Sequence, residues 1–469
     1  MKEPLLFLTF LLTSVIVYPQ ITFERTYGGP FCSFGDCVQQ TSDNGYIAVG
    51  SICNFEGDHD IYLLKTDEYG NILWEKNYGG NGWDYGYSVK QTMDGGFIIS
   101  GTKSRFDGEL SDDVYLIRTD INGVTLWTKT FGDDDNYETG NSVIENTDGS
   151  FLIAGFTLSL INWMVKGYII KTDANGDTLW NKFYTHNAET RFNDIKKIAN
   201  GYYLVSGNTN NQTGNSCAYL LKLKENGDTV WTKTIGNPDD YLLCWGNSMY
   251  DSSGFVYYGD IHYLSGESDL FLMKTDTNGN LIWFKTYGGA GIQDVAKSYQ
   301  TFDGGFVLTG RMHDSTGIHI LLLKTNNDGD SLWSRKFDDT VNNFAYWVQT
   351  TNDHGIIICG SKANGSEGDL YLIKTDENGQ FTGIDDYASS VNNKITVYPN
   401  PTTGKVNILI PNKFGQTKTL EVFDYTGQLQ LTKTNNFSEF DISSLPSGLY
   451  FIVLTSPDNE KITSKIIKM

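Results

Sequence analysis

Asp94-Gly95-Gly96-Phe97-Ile98-Ile99-Ser100-Gly101 is followed by Asp113-Val114-Tyr115-Leu116-Ile117-Arg118-Thr119-Asp120 and then by Leu126-Trp127-Thr128-Lys129. These are strand-length runs rich in Ile, Val, Tyr and Phe, closed by Gly, Asp and Asn, with no competing 3.6-residue period, so they read as antiparallel strands joined by tight turns. The unit recurs. A Gly ends the apolar run at Gly50, Gly101, Gly155, Gly207, Gly259, Gly310 and Gly360, a basic residue follows the next run at Lys65, Arg118, Lys171, Lys222, Lys274, Lys324 and Lys374, and a Trp opens the run after that at Trp74, Trp127, Trp180, Trp231, Trp283 and Trp333. The steps set a repeat of about 52 residues.

In the second unit the pattern predicts strands near 86–92, 96–101, 114–119 and 125–131. Four strands per repeat without a helix is the pattern of a β-propeller blade, because one sheet cannot bury both faces and must stack on its neighbours. The Gly series gives seven blades, yet the seventh copy ends in Asn378-Gly379-Gln380-Phe381 without a Trp. Ile21-Thr22-Phe23-Glu24-Arg25-Thr26-Tyr27-Gly28-Gly29 aligns with Ile72-Leu73-Trp74-Glu75-Lys76-Asn77-Tyr78-Gly79-Gly80, Phe23 taking the Trp place. The expectation is an all-β chain: a seven-bladed propeller over 21–384 closed by its N-terminal strand, a linker at 385–393, and a small Ig-like β-sandwich at 394–469. The cations two residues after the Trp position, Arg25, Lys76, Lys129, Lys182, Lys233, Lys285 and Arg335, would keep outer strands from pairing edge to edge. Small residues (Gly35, Gly86, Gly140, Gly246, Ala345) would line the innermost strands where they converge, Phe192 and Val295 excepted.

Acidic residues outnumber basic ones by 56 to 35, a net charge of −21. Such a surface repels phosphate backbones and anionic lipid, so no nucleic-acid or membrane-surface partner is expected. The apolar run Leu5 to Val17 is too short to span a bilayer and suits a secretory leader over 1–20. No later run reaches spanning length, and a monomer is expected. Six cysteines in an exported chain suggest bridges, one within Cys32, Cys37 and Cys53 and one between Cys217 and Cys244, with Cys359 apart.

Two hairpins per blade would point to one face, and the longer connections, such as 102–112 and 132–138, to the other. Loops of variable length on a rigid scaffold make the default binding surface. There the candidates are Trp83, Asp84, Tyr137, Tyr241 and Trp245, with Asp133, Asp134, Asp135, Asp239 and Asp240 beside them, a mix that suits sugar rings or peptides. The plainer reading, to which the residues lean, is that these loops are merely solvated and that Trp83 or Trp245 caps the core. Asp60, Asp113, Asp269 and Asp369 recur before the third strand. A capping role is expected there rather than calcium binding, and no other cofactor or metal is expected. The six His are scattered and neither H-E-x-x-H nor G-x-S-x-G occurs, so no catalytic residue is assigned.

Beyond Asp385 the repeat gives way to Val397-Tyr398-Pro399-Asn400-Pro401-Thr402-Thr403-Gly404, Val422-Phe423-Asp424-Tyr425-Thr426-Gly427, Leu445-Pro446-Ser447-Gly448-Leu449-Tyr450 and Lys465-Ile466-Ile467-Lys468. This succession resembles the type A C-terminal sorting domain of the Bacteroidetes type IX secretion system. The resemblance implies that 394–469 engages that machinery, through Tyr398, Pro399, Asn400, Pro401, Gly404, Gly448 and Lys468, and that the chain is secreted or displayed on the cell surface. The repeat itself is similar to those of secreted bacterial propellers and, more distantly, of pyrroloquinoline quinone enzymes. Asp177-Thr178-Leu179, Asp228-Thr229-Val230 and Asp330-Ser331-Leu332 resemble the Bacteroidetes O-glycosylation acceptor. Two functions are therefore carried forward: a binding or adhesion module for extracellular glycan or protein, and an extracellular glycan-active or quinone-dependent enzyme.

Overall fold

The computed structural model describes residues 20–29, 32–53, 58–104, 112–186, 189–237, 239–251, 253–289, 292–314, 317–337, 343–364, 367–381, 396–398, 400–409, 419–424, 426–434, 437, 439–456 and 461–469. The leader (apart from Gln20), the linker and Pro399 lie outside them. The chain divides into two compact units, Met1–Phe381 and Thr382–Met469.

The first unit is a β-propeller built of four-stranded antiparallel sets. In sheet II the strands are Tyr85–Gln91, Phe97–Ser104, Asp112–Thr119 and Thr125–Phe131, paired in sequence order and within three residues of the expected bounds. The innermost strands of sheets I to VII are Ser33–Gln40, Tyr85–Gln91, Asn136–Glu145, Thr190–Ile198, Tyr241–Asp251, Ile292–Gln300 and Phe344–Thr350. The outer strands of sheets I to VI are Ile72–Tyr78, Thr125–Phe131, Thr178–Tyr184, Thr229–Ile235, Leu281–Tyr287 and Ser331–Phe337. Sheet VII takes Phe23–Tyr27 as its outer strand, antiparallel to Glu367–Thr375 with Phe23 opposite Lys374. Sheets V and VI also touch through one parallel bridge, Ser268 to Ile292. Each inner strand packs on the inner strand of the next sheet, and Phe344–Thr350 packs on Ser33–Gln40. Among the described residues the one helical turn is a 3-10 turn at Ala199–Gly201.

Each sheet buries Ile, Val, Leu and aromatic side chains on both faces, in clusters that straddle neighbouring sheets. At about 25 cal/mol per Å² this burial is the main cohesive term. The Trp position has a specific partner. A methyl added at Gly123 would sit 2.8 Å from Trp74 Cζ3, and the same relation joins Trp127 to Gly176, Trp180 to Gly227, Trp231 to Gly279, Trp283 to Gly329 and Trp333 to Gly379. The glycine belongs to the outer turn of the following sheet and takes a positive φ, +74° at Gly123, a conformation glycine adopts without strain. Tyr78, Tyr184 and Tyr287 hydroxyls donate to the carbonyls of Gly123, Gly227 and Gly329 at 2.6, 2.7 and 2.6 Å. The cations beyond the Trp have partners too: Lys129 reaches Asp177 at 2.7 Å, Lys182 reaches Asp228 at 2.8 Å, and Lys285 reaches Asp330 at 2.5 Å, in each case on the next sheet. Those cations join sheets, where the sequence suggested that they keep strand edges apart.

The basic residue near the end of the third strand is buried in five sheets, Lys222 and Lys274 being half-buried, and in four it is answered by the Asp of its own sheet's first hairpin. Lys65 meets Asp43 at 2.9 Å, Arg118 meets Asp94 at 2.5 Å, Lys324 meets Asp303 at 2.6 Å and Lys374 meets Asp353 at 3.0 Å. Lys171 pairs instead with Glu225 at 3.4 Å.

Cys32 and Cys53 form a disulfide, whereas Cys37, Cys217, Cys244 and Cys359 are free and buried. The expected Cys217–Cys244 bridge is absent because the two lie on consecutive sheets: Cys217 pairs with Thr209 in sheet IV and Cys244 with Gly259 in sheet V.

The second unit has a three-stranded sheet (Thr396–Tyr398, Lys405–Leu409, Glu439–Asp441) and a four-stranded one (Leu429–Lys433, Thr419–Asp424, Gly448–Thr455, Lys461–Lys468). They share a core of Val406, Ile408, Leu420, Val422, Phe440 and Ile452. The Asn400 amide donates to Lys465 O at 3.0 Å and its carbonyl accepts from Ile467 N at 2.9 Å. Gly404 is required by space: a methyl there would lie 2.6 Å from Ser443 Cβ. Gly448 opens a strand in register with Lys468.

Candidate binding site on the inner strands

Every inner strand breaks register at the same place. The shifts fall at Gly35/Cys37, Gly86/Ser88, Gly140/Ser142, Phe192/Asp194, Cys244/Gly246, Asp294/Lys297 and Ala345/Trp347. A bulge leaves one residue unpaired and re-aims its side chain. The bulged residues include Asp36, Tyr87, Asn141, Asn193, Trp245 and Tyr346. Asn141 donates to Phe192 O and Asn193 to Cys244 O, both at 2.8 Å, so these amides tie one inner strand to the next. Of the small residues, Gly35, Gly86, Gly140 and Ala345 stand just before the bulges, and Gly246 just after its own. A methyl on Gly86 would strike Val49 Cγ2 at 2.6 Å and one on Gly35 would strike Cys359 Sγ at 2.5 Å, both on the neighbouring sheet. Smallness there serves sheet stacking, and Phe192 at the same place fills against Tyr219 and Tyr184.

The end of the inner strands facing the long connections is aromatic. Trp83, 56% exposed, meets His59 edge-on at 5.4 Å; His59 lies 5.4 Å from Tyr85, and Tyr85 stacks on Tyr87 at 6.4 Å. Phe344 stacks on Tyr346 at 6.2 Å, with the Arg311 guanidinium 5.5 Å from the Phe344 ring. Tyr137 lies 6.3 Å from Phe156, which the Arg191 guanidinium covers at 4.5 Å. Burial pushes the Asp36 carboxyl up to about 7, Lys297 opposing it, so near neutrality Asp36 can donate as well as accept. Burial likewise raises Tyr137 to about 12, aided by Asp112 and Tyr85. On sheet V, Asp260 accepts from Trp245 Nε1 and lies 2.6 Å from His262 Nε2, and that hydrogen bond raises the imidazole above its ordinary value. Tyr241 meets His262 edge-on at 6.2 Å.

The five residues expected on the ligand face therefore separate. Trp83 and Tyr241 are exposed at the long-connection end, Tyr137 is half-buried beside Phe156, and Trp245 is half-buried on a bulge. Asp84 is fully buried, accepting from Ser104 N at 3.0 Å, and is not a surface contact. Burial pushes its carboxyl up to about 6, the Ser104 amide opposing. A methyl at Gly79 would meet both Asp60 Oδ1 at 2.0 Å and Asp84 Oδ2 at 2.5 Å, so Asp60, the second residue of its third strand, faces the residue just before the next sheet's inner strand across a glycine. Sequence reasoning missed His59, Asp36, Tyr85, Tyr87, Phe344 and Tyr346. The available signal was position: several fall within one or two residues of the aligned small residue. Among the described residues, Cys32, Cys53 and His59 group as metal-type ligands, but the disulfide removes both thiolates. At the opposite, hairpin end of the inner strands lies a cavity of about 690 Å³ lined by Gln39, Lys90, Lys196, Tyr299, Trp347 and Gln349 among others.

A family model described as the secretion system C-terminal sorting domain matches residues 396–469. The chain thus carries the address of a secreted or cell-surface protein, and among the described residues no helix is long and apolar enough to cross a membrane. Comparison with curated protein sequences gives no significant match. Similar solved structures include the Neurospora crassa Pan2 WD40 domain (TM-score 0.47, 9% identity, 78% of this chain and 99% of that one). Others are the β-propeller domain of the Trilobed protease from Pyrococcus furiosus (0.43, 10%, 78% and 99%) and the Pyrococcus horikoshii acylaminoacyl peptidase (0.42, 10%, 91% of this chain and 58% of the peptidase). With TM-scores under 0.5, these likenesses transfer no detail and no activity.

Proposed function

We propose that this exported chain is a ligand-binding propeller of seven blades, shut by Phe23–Tyr27 on the last blade, that presents its aromatic long-connection end to an extracellular glycan or protein. The C-terminal unit is read as an immunoglobulin-like sandwich recognised by the type IX machinery, as its two sheets around one core suggest. The observation that carries the binding role is the run of ring contacts from exposed Trp83 through His59 and Tyr85 to Tyr87. Aromatic faces of this kind stack on sugar C–H surfaces or take apolar peptide side chains, with Arg191, Arg311 and Asp36 placed to bond polar groups. The test is a screen of the full chain against immobilised polysaccharides and extracellular proteins, followed by Trp83→Ala with Tyr85→Ala. Loss of at least about tenfold in affinity, roughly 1.4 kcal/mol, at unchanged melting temperature supports the assignment. Undiminished binding by the double variant, or no saturable ligand in the screen, refutes it.

A further inference from the structure

Three lysines from sheets that are not neighbours come together at the hairpin end of the inner strands. Lys90 belongs to sheet II, Lys196 to sheet IV and Lys297 to sheet VI. The Lys90 ammonium lies 5.2 Å and the Lys297 ammonium 5.0 Å from the centre of the same indole, Trp347 of sheet VII. Lys196 donates to Asn247 O, and Lys297 donates to Trp245 O at 3.4 Å. Each of Lys196 and Lys297 has its charge disfavoured first by desolvation, and the other two lysines of the trio contribute in the case of Lys196. Lys90 and Lys196 line the 690 Å³ cavity, with the side-chain amides of Gln39, Gln40, Gln349 and Asn352 around it.

What sets these cations apart is the treatment of the others. Lys65, Arg118, Lys324 and Lys374 are each buried against an Asp of their own sheet. Among the described residues, none of Lys90, Lys196 and Lys297 forms an ion pair, in a chain with twenty-one more acidic than basic residues. Asp194 acts on both Lys196 and Lys297, and Asp36 acts on Lys297, without forming an ion pair; Asp194 is already engaged by Ser142 Oγ at 3.0 Å and by Asn247 N at 3.3 Å. Three like charges, two of them on the wall of a partly enclosed cavity, repel one another, and an anion seated beside them reduces that repulsion while finding amide donors on the same wall. Trp347 holds two of the ammoniums by cation–π attraction, so the cluster is organised before a ligand arrives.

We infer that the hairpin end of the inner strands is a binding site for a small oxyanion, a carboxylate, sulfate or phosphate group, held by Lys90, Lys196 and Lys297. The ligand must be small, because the acidic surface repels an extended polyanion. The cavity lies at the end opposite the aromatic one, Lys297 also acting on Asp36 and donating to Trp245 O, and its test uses different ligands and variants from that of the aromatic end. The experiment titrates the full chain with sodium phosphate, sodium sulfate and sodium acetate in separate calorimetric arms, at constant ionic strength set with chloride. One-site saturable binding is expected in at least one arm, weakened at least about tenfold in Lys90→Met with Lys297→Met. Should that variant fail to fold, a selenate soak of the unaltered protein with anomalous diffraction replaces it, the expected peak lying among the three Nζ atoms. Saturable binding in no arm, affinity unchanged in the variant, or selenate seated elsewhere overturns the inference.

Discussion

Phe23 presses its ring on Gly70 as Trp74 presses on Gly123: a methyl added at Gly70 would lie 2.8 Å from Phe23 Cε2. The Tyr27 hydroxyl donates to Gly70 O at 2.7 Å, as Tyr78 does to Gly123 O. A strand from the start of the chain thereby contacts sheet I in the same way as the outer strand of each sheet contacts the next. Phe23→Ala should cost about 3 kcal/mol in urea unfolding, since the ring is buried. Phe23→Trp, which copies the other outer strands, should stay within about 1 kcal/mol of the parent. Equal stability of Phe23→Ala and the parent would show that this strand contributes nothing.

Lys374 is wholly buried and its ammonium has two oxygen partners, Asp353 Oδ2 and Thr375 O, both at 3.0 Å. Asp353→Ala strands that charge and should destabilise by about 3 kcal/mol, while Lys374→Met with Asp353→Ala should recover most of the loss. A double variant no better than Asp353→Ala would contradict the pairing argument.

The Asp84 carboxyl, pushed up to about 6, ties stability to pH. Its folded value lies above the unfolded one near 3.8, so the native state holds the extra proton, and stability falls as pH rises from about 4 to 6. Above that window the buried charge costs on the order of 3 kcal/mol. Asp84→Asn, followed by melting temperature from pH 4 to 8, should remove this slope and raise stability at pH 8.

The Cys32–Cys53 bridge closes a loop of sequence separation 21, and Cys53→Ser should cost about 3 kcal/mol on the chain-entropy account. Thiol titration should find no reactive cysteine in the folded protein and four after denaturation, because the free cysteines are buried. A smaller count on denaturation would mean a second bridge.

In the sorting unit, Asn400 clasps the last strand through Lys465 O and Ile467 N. Asn400→Ala should lower the unit's stability by about 1–2 kcal/mol, and removal of 396–469 should hold the chain inside the cell. Surface delivery of the truncated chain, detected by fractionation, would refute the second statement.

Strand positions were legible because strands and turns are local. The hairpin Thr92-Met93-Asp94-Gly95-Gly96 declares itself by its own side chains: Thr92 Oγ1 donates to Asp94 Oδ1 at 2.7 Å and Gly95 takes φ +89°. The aromatic end is less legible. Trp83 stands out because an exposed Trp is conspicuous, whereas Tyr87 and Tyr346 look like ordinary strand residues until the bulge turns them. Asp84 looked like a loop carboxylate, and only the packing of one sheet on the next shows it to be enclosed.

The sequence by itself determined the repeat, its turns, the Trp, Gly and Lys landmarks and the secretion address, since each is written in residues a few positions apart. Tertiary structure decided which cysteines meet, which acids are enclosed, and that Lys90 and Lys196, about a hundred residues apart, line one cavity while Lys90 and Lys297 meet on the ring of Trp347. The reason is that burial and charge depend on the neighbouring sheets, while periodicity records only the pattern within each.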